Sequence, residues 1–134
     1  MSLTIRIPAS IDPALTGNSR AHPMKKHRLF QELKATTMLM VRTTGPDVYP
    51  FLPWVLTYTV ARPKGKQALD DDNIKIGLKG IQDGIAEELG IDDRFITIGT
   101  VTQIKDKAGV GFIDVTITPT SAFDPPGGVD GGSV

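Results

Sequence analysis

Four stretches of the chain alternate apolar and polar residues, as half-buried β-strands do. They are residues 3–7, 54–60, 95–105 and 110–118. The last two stretches flank the turn-forming residues 106–109, so together they predict a β-hairpin.

Two other stretches repeat apolar residues every three or four positions, which is typical of amphipathic helices. They cover residues 24–42 and 74–89. The second contains Gly77, Gly80 and Gly84. Each of these glycines weakens a helix by about 1 kcal/mol relative to alanine, and their spacing indicates close packing against a neighbouring element. The resulting order, β-α-β-α-β-β, predicts an α+β domain in which a mixed sheet packs with two helices.

The chain has 134 residues, a length that fits one domain with a buried core. We assign residues 1–120 to that domain and predict that residues 121–134, rich in proline and glycine, form a disordered tail. The absence of cysteine excludes disulfides, zinc–thiolate sites and cysteine nucleophiles, and it is compatible with a reducing cytoplasm. No apolar run approaches the roughly 20 residues of a membrane span, so we expect no membrane partner.

The formal net charge is zero, but the charges are segregated along the chain. Residues 13–46 hold one acid and six cations, which are Arg20, Lys25, Lys26, Arg28, Lys34 and Arg42. A smaller basic group, Arg62, Lys64 and Lys66, precedes residues 70–93, which hold eight acids and two lysines. A basic face beside an acidic pocket suits an enzyme acting on a polyanion, because cations hold phosphates and carboxylates hold a metal ion. The alternative is a solvated surface whose charges occur in blocks.

Residues 70–72 are three consecutive aspartates, whose mutual repulsion must be offset by solvent, a helix N-terminus or a cation. Mg²⁺ is commonly held by one or two carboxylates together with water and substrate phosphate. Because Asp92 and Asp93 follow the intervening helix, the pattern predicts a metal-dependent phosphodiester site. The alternative is that Asp72 or Asn73 caps the helix and that the later pair forms a solvated turn.

The order of these residues resembles the signature of the RusA-like Holliday junction resolvases. The matching parts are Leu-Asp-Asp-Asp-Asn at residues 69–73, a helix carrying Lys79 and Asp83, and Gly-Ile-Asp-Asp at residues 90–93. The resemblance covers residues 54–118 well. It implies a homodimeric, Mg²⁺-dependent endonuclease that uses one or two ions to cut four-way DNA junctions symmetrically. It also implies a bacterial cytoplasmic protein, with a phage or prophage origin.

Carried over to this chain, the resemblance implies that Asp70, Asp72 and Asp93 bind the metal and that Asn73 is structural. Lys79 is the implied catalytic lysine, which would stabilise the charge that develops on the phosphoryl group, and Lys75 is the alternative. We expect the basic residues of the first helix and of the segment before the acids to bind backbone phosphates without reading sequence. These residues are Arg20, Lys25, Lys26, Arg28, Arg62, Lys64 and Lys66.

The predicted second helix raises a geometric difficulty. A straight helix over residues 74–89 would be about 24 Å long at ~1.5 Å per residue, which would place Asp72 and Asp93 at opposite ends. The glycines could break the helix, or the chain after Gly90 could fold back. We favour a third arrangement, in which Asp93 of one subunit meets Asp70 and Asp72 of the other, with the glycine face allowing the two subunits to approach closely.

The leading hypothesis is therefore a junction-resolving endonuclease. One alternative is a branched-DNA binding protein on the same fold that does not cleave. A second is a dimeric interaction module in which the acids only cap a helix.

Overall fold

Four strands form a mixed sheet in the computed structural model, which describes residues 3–15, 20, 22–44 and 53–119. The strands are β1 (Leu3–Ile7), β2 (Trp54–Arg62), β3 (Ile96–Lys105) and β4 (Phe112–Pro119). They lie in the order β1-β4-β2-β3, with β2 parallel to β3 and antiparallel to β4. The predicted α+β class with a mixed sheet is confirmed. The predicted tail at residues 121–134 lies outside the described residues.

The predicted hairpin between the last two strands is wrong, because β3 and β4 lie on opposite sides of β2. The link between them crosses the end of β2, where the Asp106 N–H donates to the Arg62 carbonyl at 2.9 Å. Strand β2 is the most deeply buried of the four, and its backbone groups need partners along both edges. Both later strands therefore pair with β2 rather than with each other.

The crossing link is held by the side chain of Asp106. Its carboxylate accepts hydrogen bonds from the backbone N–H groups of Ala108, Val110 and Gly111. These donors, that of Gly111 foremost, hold the pKa of Asp106 below its ordinary value. Residues 106–109, which predicted a hairpin, therefore do form a turn, but this turn crosses the end of β2 and does not join two adjacent strands.

Helix α1 (Pro23–Thr44) and the pair α2 (Asp71–Gly77) and α3 (Lys79–Leu89) cover one face of the sheet. The second helix is interrupted, which is one of the three arrangements considered above. At Leu78 the ψ of −5° departs from the ideal α-helical value, while the φ of −84° stays in the right-handed helical region. Hydrogen bonds still bridge the break, from the Leu78 N–H to the Ile74 carbonyl and from the Gln82 N–H to the Leu78 carbonyl. The second helix therefore begins earlier than predicted and is interrupted once.

The core lies between the helices and the covered face of the sheet. Strand β2 points Trp54, Leu56 and Tyr58 into it, and all three are fully buried. The other fully buried large side chains are Ile5, Ile7, Val41, Ile74, Leu78, Ile81, Ile85, Ile113 and Ile117. Within the described ranges, no helix has both the length and the apolar character needed to cross a membrane.

The glycines of the second helix pack against other parts of the same chain. A Cβ on Gly84 would lie 2.9 Å from the Lys34 carbonyl oxygen and 3.0 Å from Thr37 Cβ, both in α1. A Cβ on Gly77 would meet the side chain of Ile11. The close packing predicted from the glycine spacing is confirmed. The expectation that this face serves a dimer contact is wrong, because α1 and the segment around Ile11 already occupy it.

We expect Gly84→Ala to lower the free energy of unfolding by about 1–3 kcal/mol, because the new methyl group meets a backbone carbonyl that cannot move without shifting α1. Gly80→Ala is the matched control. Its Cβ would lie 3.3 Å from the Phe30 carbonyl oxygen, and a gain in helix propensity of about 1 kcal/mol offsets the tighter contact. Urea unfolding of both variants measures the difference. Equal losses in the two variants would contradict this packing.

Candidate functional site

The α2 acids, Asp70, Asp71 and Asp72, lie at the start of α2 and are all exposed. Asp70 is the residue before the helix, and its backbone carbonyl, not its side chain, accepts a hydrogen bond from Ile74. Within the described part of the chain, the three carboxylates make no hydrogen bond and no ion pair. Their only visible compensation is the favourable interaction of negative charge with a helix N-terminus. No side-chain hydrogen bond supports the capping alternative.

Asp93 belongs to a different group of charges, the Lys79 cluster, formed by Lys79, Asp83 and Asp93. The Lys79 ammonium lies 3.0 Å from Asp83 Oδ1 and 3.5 Å from Asp93 Oδ2. The hydrogen bond to Asp83 is the main cause that raises the pKa of Lys79, and the charges of both aspartates add to it. Lys79 is therefore a cation at neutral pH.

The two residues of the later acidic pair have different roles. Asp92 accepts a hydrogen bond from the Arg94 backbone N–H at 3.0 Å and so starts the 3₁₀ turn Asp93–Phe95. Asp93 instead faces Lys79. The assignment of Asp93 rather than Asp92 to the site is compatible with this geometry, since Asp93 contacts Lys79 whereas Asp92 contacts its sequence neighbour Arg94.

Asp93 lies beside α3, where it contacts Lys79, and among the described residues it does not join the α2 acids in a group that could hold a metal ion. Contact with Lys79 shows that the chain reverses after Gly90, so Asp93 does not lie at the far end of the helix. Asp72 nevertheless precedes Lys79 by seven residues, or about 10 Å of helix at ~1.5 Å per residue. Among residues 3–15, 20, 22–44 and 53–119, no three histidine, aspartate or glutamate side chains converge in a way that could hold a metal ion.

Gln103, which the sequence did not single out, fixes the segment that leads into the α2 acids. Its side-chain amide accepts a hydrogen bond from the Leu69 N–H at 2.9 Å and donates one to the Leu69 carbonyl at 2.8 Å. Leu69 is the residue before Asp70. This pair of hydrogen bonds therefore connects the segment that carries the α2 acids to β3. This contact could not be predicted from a local sequence pattern, because the two residues are 34 positions apart.

Tyr58 is a second residue that the sequence did not assign to the site. Its hydroxyl is buried beneath the helices and has no hydrogen-bond partner among the described residues. Burial raises the pKa of Tyr58, and the charge of Asp83 raises it further. The Lys79 cluster therefore has an unpaired hydroxyl donor below it.

Five of the predicted DNA-binding cations are exposed: Arg20, Lys25, Arg28, Lys64 and Lys66. Lys26 and Arg62 are partly buried. Arg62 and Lys66 line a cleft of about 570 Å³ between α1 and the segment that joins β2 to α2. Leu69 and Ile74, which flank the α2 acids in the sequence, line the same cleft. Two of the predicted cations therefore share a cleft with residues that flank the acidic run.

Comparison of the sequence with known proteins finds no family model and no curated protein that matches this chain. The roles of the site residues therefore rest on their chemistry and placement, together with the sequence resemblance.

We expect Gln103→Ala to lower the free energy of unfolding by about 1–3 kcal/mol, because both backbone groups of Leu69 lose their partner. Gln82→Ala is a matched control, since the Gln82 amide makes only one long hydrogen bond, at 3.5 Å to the Ile96 carbonyl. Hydrogen exchange at the Leu69 amide should accelerate in Gln103→Ala and not in Gln82→Ala. Unchanged exchange at Leu69 in Gln103→Ala would show that the amide does not hold this segment.

Proposed function

We propose that this protein is a Mg²⁺-dependent, structure-selective endodeoxyribonuclease that resolves four-way DNA junctions, and that it is RusA-like. The observation that carries the proposal is the run of three exposed carboxylates, without a partner among the described residues, beside a cleft whose lining includes Arg62 and Lys66. Most other acids of the described residues have cationic partners, as Asp114 has in Arg6 and Glu88 in Arg42, while Asp12 and Asp106 accept backbone hydrogen bonds. The α2 acids differ in having neither kind of partner among the described residues.

The α2 acids suit a hard divalent cation. Their carboxylate oxygens are the ligands that Mg²⁺ prefers, and no cation of the described chain competes for them. Asp70 and Asp72 would hold one or two Mg²⁺ ions, with Asp93 as a third ligand, while Asn73 has a structural role. Bound Mg²⁺ would supply Lewis-acid neutralisation of the phosphoryl oxygens and a water activated for attack.

Lys79 acts as a fixed positive charge in this proposal. Its raised pKa keeps the ammonium protonated, so it is suited to stabilising negative charge on the phosphoryl group and unsuited to act as a base. Asp83 orients it through their ion pair. Lys75 is the alternative lysine and lies one helical turn after Asp71 and Asp72. The exposed cations of α1 and of the segment before α2 would bind backbone phosphates.

We further propose that the protein works as a homodimer in which the Lys79 cluster of one subunit completes the α2 acids of the other. The separation of these two groups within one chain supports this arrangement, and a two-fold axis would create two such sites. Because the glycines of α2 and α3 pack inside the subunit, the dimer must use a different surface.

A synthetic four-way junction assayed with and without Mg²⁺ tests the nuclease. We expect the wild type to nick opposing strands only when Mg²⁺ is present. Asp72→Asn should slow cleavage by about 100-fold or more, the upper end of what even outer-shell changes cost a metal site. Asp71→Asn, the matched control with the same loss of charge at a neighbouring exposed position, should stay within a few-fold of wild type.

The same assay separates the alternatives. Junction binding without cleavage by the wild type would indicate a branched-DNA binding protein on this fold. Neither binding nor cleavage would favour an interaction module. Cleavage that survives in Asp72→Asn would remove Asp72 from the metal site.

Mixed subunits test the dimeric site in that assay. An equimolar mixture of Asp72→Asn and Asp93→Asn chains contains one intact site per mixed dimer if the acids combine across subunits. Nicking should then reappear on mixing two inactive variants. Continued inactivity of mixed dimers would show that each site draws on a single chain.

A further inference from the structure

The cleft beside the α2 acids has the dimensions of a small-ligand site. Its volume of about 570 Å³ lies within the range of roughly 300–1,000 Å³ that such sites occupy. Much of its wall is apolar and comes from Ile11, Leu15, Leu29, Leu33 and Val60. A wall of this kind suits the flat face of an aromatic or heteroaromatic ring.

Arg62 supplies an unusual polar group to this cleft. Along β2, the alternate residues Trp54, Leu56, Tyr58 and Val60 point towards the helices, and Arg62 continues that row. Its Nε is buried and has no hydrogen-bond partner among the described residues. A buried donor without a partner costs free energy. Because the Nε has no accessible surface, a ligand acceptor would remove that cost only if the Arg62 guanidinium turned further into the cleft.

The cleft lining also includes two acids, Asp12 and Glu32, so its formal charges balance. The Asp12 carboxylate accepts a hydrogen bond from the Ala14 N–H, and Glu32 lies 3.8 Å from Arg28, so both acids have partners other than Arg62 and Lys66. Lys66 adds a second cation to the lining, and no acid pairs with it in the described ranges. Arg62 and Lys66 are therefore available to one phosphate.

We propose that this cleft binds one nucleotide of the DNA strand, with its phosphate on Arg62 and Lys66 and its base against the apolar wall. A free inorganic anion would leave the apolar wall uncovered, and a purely apolar ligand would leave the Arg62 Nε without an acceptor. The proposal rests on the proposed action on DNA and extends it. The sequence predicted contacts to backbone phosphates only, whereas this cleft takes a base that has left its stack.

The position of the cleft connects it to the candidate site. Leu69 lines the cleft and directly precedes Asp70, and Ile74 lines it from within α2. A nucleotide bound there would lie beside the α2 acids. The cleft would therefore position the strand next to the site where we propose cleavage.

Binding of thymidine 5′-monophosphate to the full chain without divalent cations tests the proposal. The titration is followed by NMR of the backbone amides, with thymidine and inorganic phosphate as separate arms. We expect shifts at Leu33, Val60 and Leu69, and at least tenfold tighter binding of the monophosphate than of either fragment. Arg62→Met, which keeps an apolar stem, should weaken binding at least about tenfold, which corresponds to about 1.4 kcal/mol.

Two exposed lysines provide a matched pair. Lys66 lines the cleft, whereas Lys107 does not and has no assigned role in DNA binding. Lys66→Gln should weaken binding several-fold and Lys107→Gln should leave it unchanged. Arg62→Met should melt at or above the wild-type temperature, since it loses a buried unpartnered donor. If that variant fails to fold, the lysine pair decides.

Three results would overturn the nucleotide cleft. They are equal effects of the two lysine variants, binding of inorganic phosphate as tight as that of the monophosphate, and shifts confined to residues outside the cleft. Because the titration contains no Mg²⁺ and needs no cleavage, a failure of the nuclease assay leaves its result interpretable. Junction cleavage without mononucleotide binding would overturn the cleft alone.

Discussion

Strand β2 pairs with a parallel neighbour on one edge and an antiparallel neighbour on the other, and this double pairing places every part of the candidate site. A parallel neighbour requires the chain to cross over the sheet, and α2 and α3 are that crossover. The crossover helix starts near the end of β2 and finishes near the start of β3. The α2 acids therefore lie at the first end of the crossover. The chain reaches Asp93 only after α3, and its reversal after Gly90 brings Asp93 back to Lys79.

Acids with a hydrogen-bond or ion-pair partner in the structure can be distinguished from acids that have none among the described residues and could bind a ligand. Asp106, Glu88 and Asp114 are engaged by backbone N–H groups or by arginine, and those partners are enough to explain why a carboxylate stands at each position. The α2 acids have no such explanation within the described residues. Repulsion between neighbouring carboxylates costs free energy, and a divalent cation is the partner that would offset it and add chemistry. The raised pKa of Lys79 keeps its ammonium charged, and in the proposed dimer that charge would reach the α2 acids across the subunit contact.

The local elements of this fold could be predicted from sequence, whereas their pairing could not. Alternation and helical periodicity identified the strands and helices, and glycine spacing identified a close helix contact. The turn at Asp106 looks the same in sequence whether it joins adjacent strands or spans a third, so the hairpin was predicted wrongly. The glycine spacing likewise does not identify the element that packs against it, which is α1 and not a second subunit. Gln103 and the buried Arg62 Nε depend on contacts between distant residues, and no local pattern marks them.

Binding of a divalent cation by the α2 acids is tested most directly by titration with Mn²⁺, a paramagnetic substitute for Mg²⁺. We expect saturable broadening of the NMR amide signals of Asp70, Asp71 and Asp72 before those of other exposed acids such as Glu87. Asp72→Asn should abolish this selectivity and Asp71→Asn should preserve it. Broadening that is equally strong at Glu87, or that is unchanged in Asp72→Asn, would contradict such binding.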